Sequence, residues 1–409
     1  MVIALLLISL PSFAQTRTEE LERQRTEHNA KLAPEQNTKA EEFLRQLKEK
    51  KLLERVNYGY NGISAKIGGM PTGGGFAVGP QYFRDDLKRG AITVRAAAQI
   101  STRNYRKLDA EFLLPRLLGG KAEFDVRSTY FDYRSIAYYG NGPDSVKART
   151  NYNLEETSGD VAFRISPIRM LTFGAAGGGL AVNVGPGKDD RYASTDAVFT
   201  PAQAPGINNQ TNFLRYGAFG QLDYRDDKFG PRQGGVYSVQ YTRFEDRDLH
   251  LHDFNLVDVD LQQYIGFFNK THVFALRAHT RMTDTRDGQV VPFYLRPVLG
   301  GSDDLRGYRP FRFSDNNSFA MTAEYRWAIF SGLDGAAFAD AGKVFARRGQ
   351  LNFRDLESSV GAGLRFNAHN QTFLRIDVGF SHEGFQVWFK FNDIFLRRSL
   401  GTADTRPIL

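Results

Sequence analysis

The chain has no cysteine and only two tryptophans among its 409 residues. A thiolate nucleophile, a disulfide staple and a cysteine-held metal are therefore all excluded. Long apolar runs are missing too. After residue 15 nothing approaches the ~20 consecutive apolar residues that a membrane-crossing helix needs, and mean hydropathy is −0.42, so this is not a helical membrane protein. No nucleophile elbow and no metal-binding helix motif is present. The histidines are scattered: His250 and His252 lie two apart in a loop, where solvent is the commoner neighbour than metal, and His279 stands on a strand. Gly73-Gly74-Gly75 falls in a hairpin tip with no helix behind it to cradle a phosphate. The sequence reads as a protein without covalent chemistry, not an enzyme, and with no cofactor or metal. A net charge of +7 raises nucleic acid as a partner, but the arginines recur along strands instead of gathering in one patch, so none is expected.

What is present is glycine (40), phenylalanine (33), tyrosine (18) and 24% charged residues, arranged with a period of two from Asn57 onward. In 91–101, Ile92, Val94, Ala96, Ala98 and Ile100 alternate with Thr93, Arg95, Ala97 and Gln99. In 318–330, Phe319, Met321, Ala323, Tyr325, Trp327 and Ile329 alternate with Thr322, Glu324 and Arg326. Strands with charge on one face and lipid-compatible side chains on the other suit a water-filled barrel in a bilayer, where every backbone amide must pair within the wall. A soluble sandwich would have to bury the charged face.

Sixteen such segments can be counted, starting near Asn57, Phe76, Ala91, Tyr105, Ala122, Asn151, Leu171, Asn212, Gly235, Phe254, His272, Ser318, Leu333, Ser358, Thr372 and Phe385. Connections alternate between tight turns (166–169, 269–271, 331–332, 368–371) and long loops (134–150, 185–211, 281–317), the pattern of an outer-membrane barrel with short periplasmic turns. The expected fold class is all-β: a 16-stranded antiparallel transmembrane β-barrel with a short N-terminal helix. Ahead of it, the short apolar stretch Val2–Leu10, Pro11 and the small-x-small Ser12-Phe13-Ala14 make 1–14 a signal peptide. Residues 15–56 form a polar segment whose second half spaces Ala40, Phe43, Leu44, Leu47 and Leu52 mostly at three and four, as an amphipathic helix does. A solvated periplasmic helix and a helix docked at the barrel mouth or in the lumen both fit. The barrel is placed at 57–395 and a polar tail at 396–409.

One pair of segments goes beyond fold. Leu305-Arg306-Gly307-Tyr308 follows Gly300-Gly301 in the sixth outside loop, and Phe338-x-Asp340-x-Gly342 lies on a later strand. By alternation Phe338, Asp340 and Gly342 share the lumen face with Glu324 and Arg326 of the neighbouring strand. A loop folded inward would bring the Arg306 guanidinium to Asp340 for a forked, charge-assisted contact, with Gly307 allowing the backbone to turn and Gly342 clearing room beside the wall.

These two motifs resemble the signature pair of the BamA/TamA/two-partner-secretion (bacterial surface antigen) superfamily. Tyr139-Gly140-x-Gly142-x-x-Ser145 resembles a third-loop pattern of the same barrels, and Asp223-Tyr224-Arg225-Asp226 with Pro231-x-x-Gly234 resembles their turn between the eighth and ninth strands. His382-x-Gly384-x-x-Val387-x-Phe389 resembles the closing-strand signal read by the assembly machinery, here with Gly384, Val387 and Phe389. The resemblance covers about 57–395, and the segment before it is too short for POTRA modules, so it implies a member lacking them. It implies a bacterial outer-membrane location and a role in protein insertion or transport. The implied partners are outer-membrane lipid, client polypeptides and the barrel assembly machinery. A small diffusion pore, or a membrane-anchored barrel for an unknown partner, is the alternative.

Overall fold

The computed structural model describes residues 61–391 except 69, 331, 369 and 370. The expected signal peptide, the N-terminal helical segment, the strand start at Asn57 and the C-terminal tail lie outside the described residues. Those described belong to one compact unit, Val56–Leu409.

The first eight wall strands are β1 (Ile63–Ile67), β2 (Ala77–Leu87), β3 (Ile92–Ser101), β4 (Arg106–Leu117), β5 (Ala122–Tyr138), β6 (Thr150–Ile168), β7 (Leu171–Pro186) and β8 (Asn212–Asp223). They continue as β9 (Gly234–Asp246), β10 (Phe254–Phe267) and β11 (His272–Thr285). Two short strands, β12 (Val298–Leu299) and β13 (Phe313–Ser314), pair with each other inside the next loop. The wall resumes with β14 (Asn317–Phe330), β15 (Leu333–Phe345), β16 (Glu357–Ala368), β17 (Gln371–Ser381) and β18 (Gly384–Lys390). The sixteen wall strands form a single antiparallel sheet in which every strand pairs with its neighbour in the chain. Its two ends come round to each other: the Phe391 ring, next after β18, lies 5.7 Å from that of Phe76, just before β2. Strand starts read from alternation fall within one residue of those observed from β2 onward.

The two faces of the wall are inverted relative to a soluble protein. Val239, Leu261, Phe274 and Val360 are among many large apolar side chains exposed on the outward face, which is stable only against lipid. At the short-turn end that face carries rings in contact, Phe274 with Tyr325 (5.1 Å) and Tyr325 with Trp327 (5.6 Å), a girdle at the level where one side of an aromatic ring meets water. On the inward face, charged side chains are buried and paired across strands. Glu111 on β4 binds Arg95 on β3 and Arg127 on β5, each at 2.6 Å. Asp160 on β6 holds Arg215 on β8 at 2.7 Å, and Asp260 on β10 holds Arg277 on β11 at 2.8 Å.

The lumen is not the uniformly polar, water-filled interior that the charge alternation implies. Toward the long-loop ends of β5 to β10 the inward face turns apolar, with Phe131, Tyr133, Leu154, Val182, Phe213, Phe244 and Phe254. Loop residues Ile207, Val291, Phe293 and Tyr294 pack against them in one buried cluster. The reason is that loops fold over this end and remove it from water, so apolar side chains on the inner face gain by burial.

Candidate functional site

The loop between β11 and β14 turns back into the lumen, and the β12–β13 hairpin shapes it. Gly300 (φ 106) and Gly301 (φ 119) take backbone angles that a residue with a Cβ rarely adopts. The Gly300 amide donates to the Asp304 carboxylate (2.8 Å), and this turn delivers 305–308 to the wall. Leu305, Arg306 and Tyr308 have no exposed surface.

Arg306 makes a fork on two strands. Its Nε and Nη2 donate to Asp340 on β15 (2.9 and 2.8 Å), and its Nη1 donates to Glu324 on β14 (2.6 Å). Its backbone amide also donates to Asp340 (3.1 Å), so the carboxylate positions both the chain and the guanidinium. The guanidinium carbon sits 3.3 Å from the centroid of the Phe338 ring, a cation over an aromatic face. Alternation explains why Phe338 and Asp340 are available together, and the ladder sets Thr322 opposite Asp340 and Glu324 opposite Phe338.

Several partners are not visible in any motif. Arg365 on β16 donates to Glu324 (2.8 Å) and to Asp377 on β17 (2.6 Å). Arg326 also binds Glu324 (2.8 Å). Arg375 binds Asp377 (2.8 Å) and reaches the loop at Asp303 (2.8 Å) and the Ser302 carbonyl (2.6 Å). Four arginines (306, 326, 365, 375) thus meet four carboxylates (Asp303, Glu324, Asp340, Asp377), and the cluster is neutral. Burying charge is expensive unless it is paired and hydrogen-bonded, and here each partner supplies both. One signal for these residues existed in the sequence: Arg365, Arg375 and Asp377 sit at inward-facing positions of the last strands. Their azimuth and height did not.

Gly307 lies in a turn, where the Tyr308 amide donates to the Leu305 carbonyl (3.1 Å). It is not in the left-handed region; instead a Cβ there would lie 2.7 Å from the Phe380 carbonyl group and from the Ser359 Cβ. The glycine thus also permits close approach of the turn to β17. Gly342 leaves space for the loop hairpin, since a Cβ there would come 3.2 Å from Leu299 Cδ1 and 2.7 Å from the Phe319 carbonyl oxygen. Tyr308 packs edge-on against Phe313 (5.2 Å) and donates to Glu357 (2.6 Å).

The loop also grips the end of the sheet. Trp388 Nε1 on β18 donates to the Arg306 carbonyl (2.7 Å), and the Ser381 hydroxyl donates to the Gly307 carbonyl (2.9 Å). Gly384 (φ 121) makes the β17–β18 turn. Val387 and Phe389 face outward and are exposed, so they are not brought to the loop. The third-loop motif docks on the same hairpin. Arg312 donates to the Ser145 hydroxyl (2.7 Å), Gly142 N–H donates to the Ser314 carbonyl (2.8 Å), and Arg312 pairs with Glu383 (2.8 Å). In the turn after β8, Asp223 and Arg225 form a fork (2.8 and 2.7 Å) away from this site. Among the described residues no group of three or more histidine or carboxylate side chains could hold a metal ion.

Residues 87–392 match the family model described as the Omp85 superfamily domain. Among solved structures, BamA from Haemophilus ducreyi lacking POTRA domains 1-3 is similar, with a TM-score of 0.58 and 13% identity over 81% of this chain and 70% of that one. CdiB from Escherichia coli is similar with a TM-score of 0.54 and 13% identity, over 81% of this chain and 62% of that one. The chain therefore spans less than two thirds of that CdiB. At these identities the likeness establishes the fold. No curated protein matches the sequence.

Proposed function

We propose that this chain, which belongs to the Omp85 superfamily of bacterial outer-membrane barrels, passes or inserts polypeptide at the outer membrane without covalent chemistry. The observation that carries this reading is the sixth outside loop seated in the lumen on a buried charge cluster and hydrogen-bonded to the closing strand through Trp388. A diffusion pore gains nothing from filling its own lumen. A barrel whose wall must rearrange while staying in register gains a strut that ties β14 to β18. The Arg306–Asp340–Glu324 fork, with Phe338, Gly307, Gly342 and Tyr308 around it, is that strut, and Gly384, Val387 and Phe389 mark the strand it steadies. The two end strands of the sheet, β1 and β18, would then accept client strands by β-augmentation where their seam parts, with lipid as the surrounding partner and the assembly machinery acting on the chain itself.

Depletion followed by quantification of outer-membrane and secreted proteins tests this. A specific set should fall, and Arg306→Ala should fail to restore it. Unchanged levels of every such protein, together with a steady open-channel current in planar bilayers, would assign the chain instead to a pore or an anchor.

A further inference from the structure

On the outward face, the wall from β4 to β6 changes from apolar to charged toward its long-loop end. Leu108, Val126 and Val161 are exposed apolar side chains; toward the long loops the same face carries Arg106, two residues from Leu108, and then Asp132 and Glu155, six residues from Val126 and Val161. Asp132 stands opposite Arg106 and Glu155 in the ladders. Above this boundary is a cavity of about 350 Å³ lined by Arg103, Arg134, Ser135, Lys188, Asp189, Asp190 and Arg191. The β7–β8 loop builds it by crossing back toward β5, where the Lys188 amide donates to the Arg134 carbonyl (3.0 Å).

The charge in and around the cavity is unequal. Six cations (Arg103, Arg106, Arg134, Arg149, Lys188, Arg191) face four carboxylates (Asp132, Glu155, Asp189, Asp190). Two of the carboxylates are occupied: Asp189 by the Arg191 fork (2.8 and 2.8 Å), and Glu155 by Tyr130 (2.9 Å) and Asn183 (3.2 Å). Arg149 lies 4.0 Å from the centroid of the Tyr192 ring and donates to Ser135 (3.3 Å). Among the described residues, the Arg134 and Lys188 side chains have no acidic partner.

We infer that this cavity binds the phosphate of an outer-leaflet lipid headgroup. Its height decides the occupant. A phosphorylated lipid whose acyl chains lie along Leu108, Val126 and Val161 places its phosphate at the level of Arg134 and Lys188. Cations just beyond an apolar surface attract anionic headgroups. A forked guanidinium beside an ammonium suits a phosphate with several acceptor oxygens. The site lies on the opposite side of the wall from the Arg306 cluster and does not depend on the function proposed above.

Native mass spectrometry of the purified full chain tests it, with diphosphorylated lipid A, its dephosphorylated counterpart and inorganic phosphate as probes. The phosphorylated lipid should bind, and the Arg134→Gln/Lys188→Gln pair should weaken it about tenfold or more. The charge-keeping pair Arg134→Lys/Lys188→Arg should stay within about twofold, and Arg286→Gln, in another loop, should change nothing. Heat-modifiable mobility checks that the variants fold; if the glutamine pair does not, Lys188→Glu alone, in an exposed loop, is read the same way. Equal binding by the glutamine pair, or equal binding of the dephosphorylated lipid, would overturn the site. Inorganic phosphate displacing the lipid at comparable concentration would overturn the lipid assignment and leave a free-anion site.

Discussion

Arg306 satisfies two carboxylates with one guanidinium, and that sets what its loss should do. Removing it leaves Asp340 with Ser359 and a backbone amide, and Glu324 with Arg326 and Arg365. Unmaking one partner of a buried pair costs about 3–5 kcal/mol. Arg306→Ala and Asp340→Ala are each expected to lower the temperature at which the folded band converts on gels. Because both delete the same contact, the double variant should be little worse than either; additive losses would show that the two act separately. Arg306→Lys should behave like the alanine variant, since an ammonium cannot fork across two strands. Asp304, in the same loop, gives a pH-dependent counterpart. Burial raises its pKa to about 6, against the lowering effect of the Leu305 and Gly300 amides. A carboxyl raised on folding binds its proton more tightly in the folded state, so its unfavourable effect is absent at low pH and grows as pH rises through about 6. Loop seating should therefore be firmer at pH 5 than at pH 7.5, read as hydrogen-exchange protection of the Leu305 amide. Asp304→Asn, which keeps the acceptor oxygen, should flatten that difference, and a pH response surviving in the variant would assign it to another group.

At the scale of elements, the loop is held by shape as well as by charge. Gly307 touches β17 so closely that a single methyl has nowhere to go. Gly307→Ala should unseat the loop, with a loss comparable to Arg306→Ala although no charge is changed, and limited proteolysis should then cut within 300–312. An uncut loop would show that β17 can yield. Trp388 ties the loop to β18 by one hydrogen bond. Trp388→Phe keeps the ring and leaves Gly384, Val387 and Phe389 untouched, so assembly should proceed while stability falls by about 1–3 kcal/mol, the cost of a buried carbonyl left unpaired. Failure to assemble would move Trp388 into the closing-strand signal. These elements also show where local pattern is informative. Alternation in 333–345 assigns Phe338, Asp340 and Gly342 to the lumen without knowledge of any neighbour, because β geometry forces the period. It says nothing of Glu357 meeting Tyr308, which only the loop's inward fold produces.

For the whole molecule, the described ladders join each wall strand to its neighbours from β1 to β18, all within Val56–Leu409. Residues 16–55 are expected to be an accessory. Deleting them should leave a barrel that inserts and stays heat-modifiable, and a truncated chain that fails to assemble would make the segment part of the folding unit. Bilayer conductance of the same variant tests where the helix expected in that segment lies: a rise assigns it to the lumen, and no change places it outside the pore.

The sequence by itself determined the number of strands, their order and which side chains face lipid. In a bilayer every strand must pair with both neighbours and turn one face to hydrocarbon, so each segment carries that information locally. It also determined that Arg306 and Asp340 belong together, through motifs that resemble a known pair. Only the tertiary structure decided that Arg365 and Arg375 complete the cluster, that Trp388 holds the Arg306 carbonyl, and that one end of the lumen is packed with rings instead of water. Those contacts join residues 41, 73 and 82 positions apart. Alternation reports which face a side chain takes, but height along the wall and position around it follow from strand register and from loops folding inward, and both are settled only when the sheet comes round on itself.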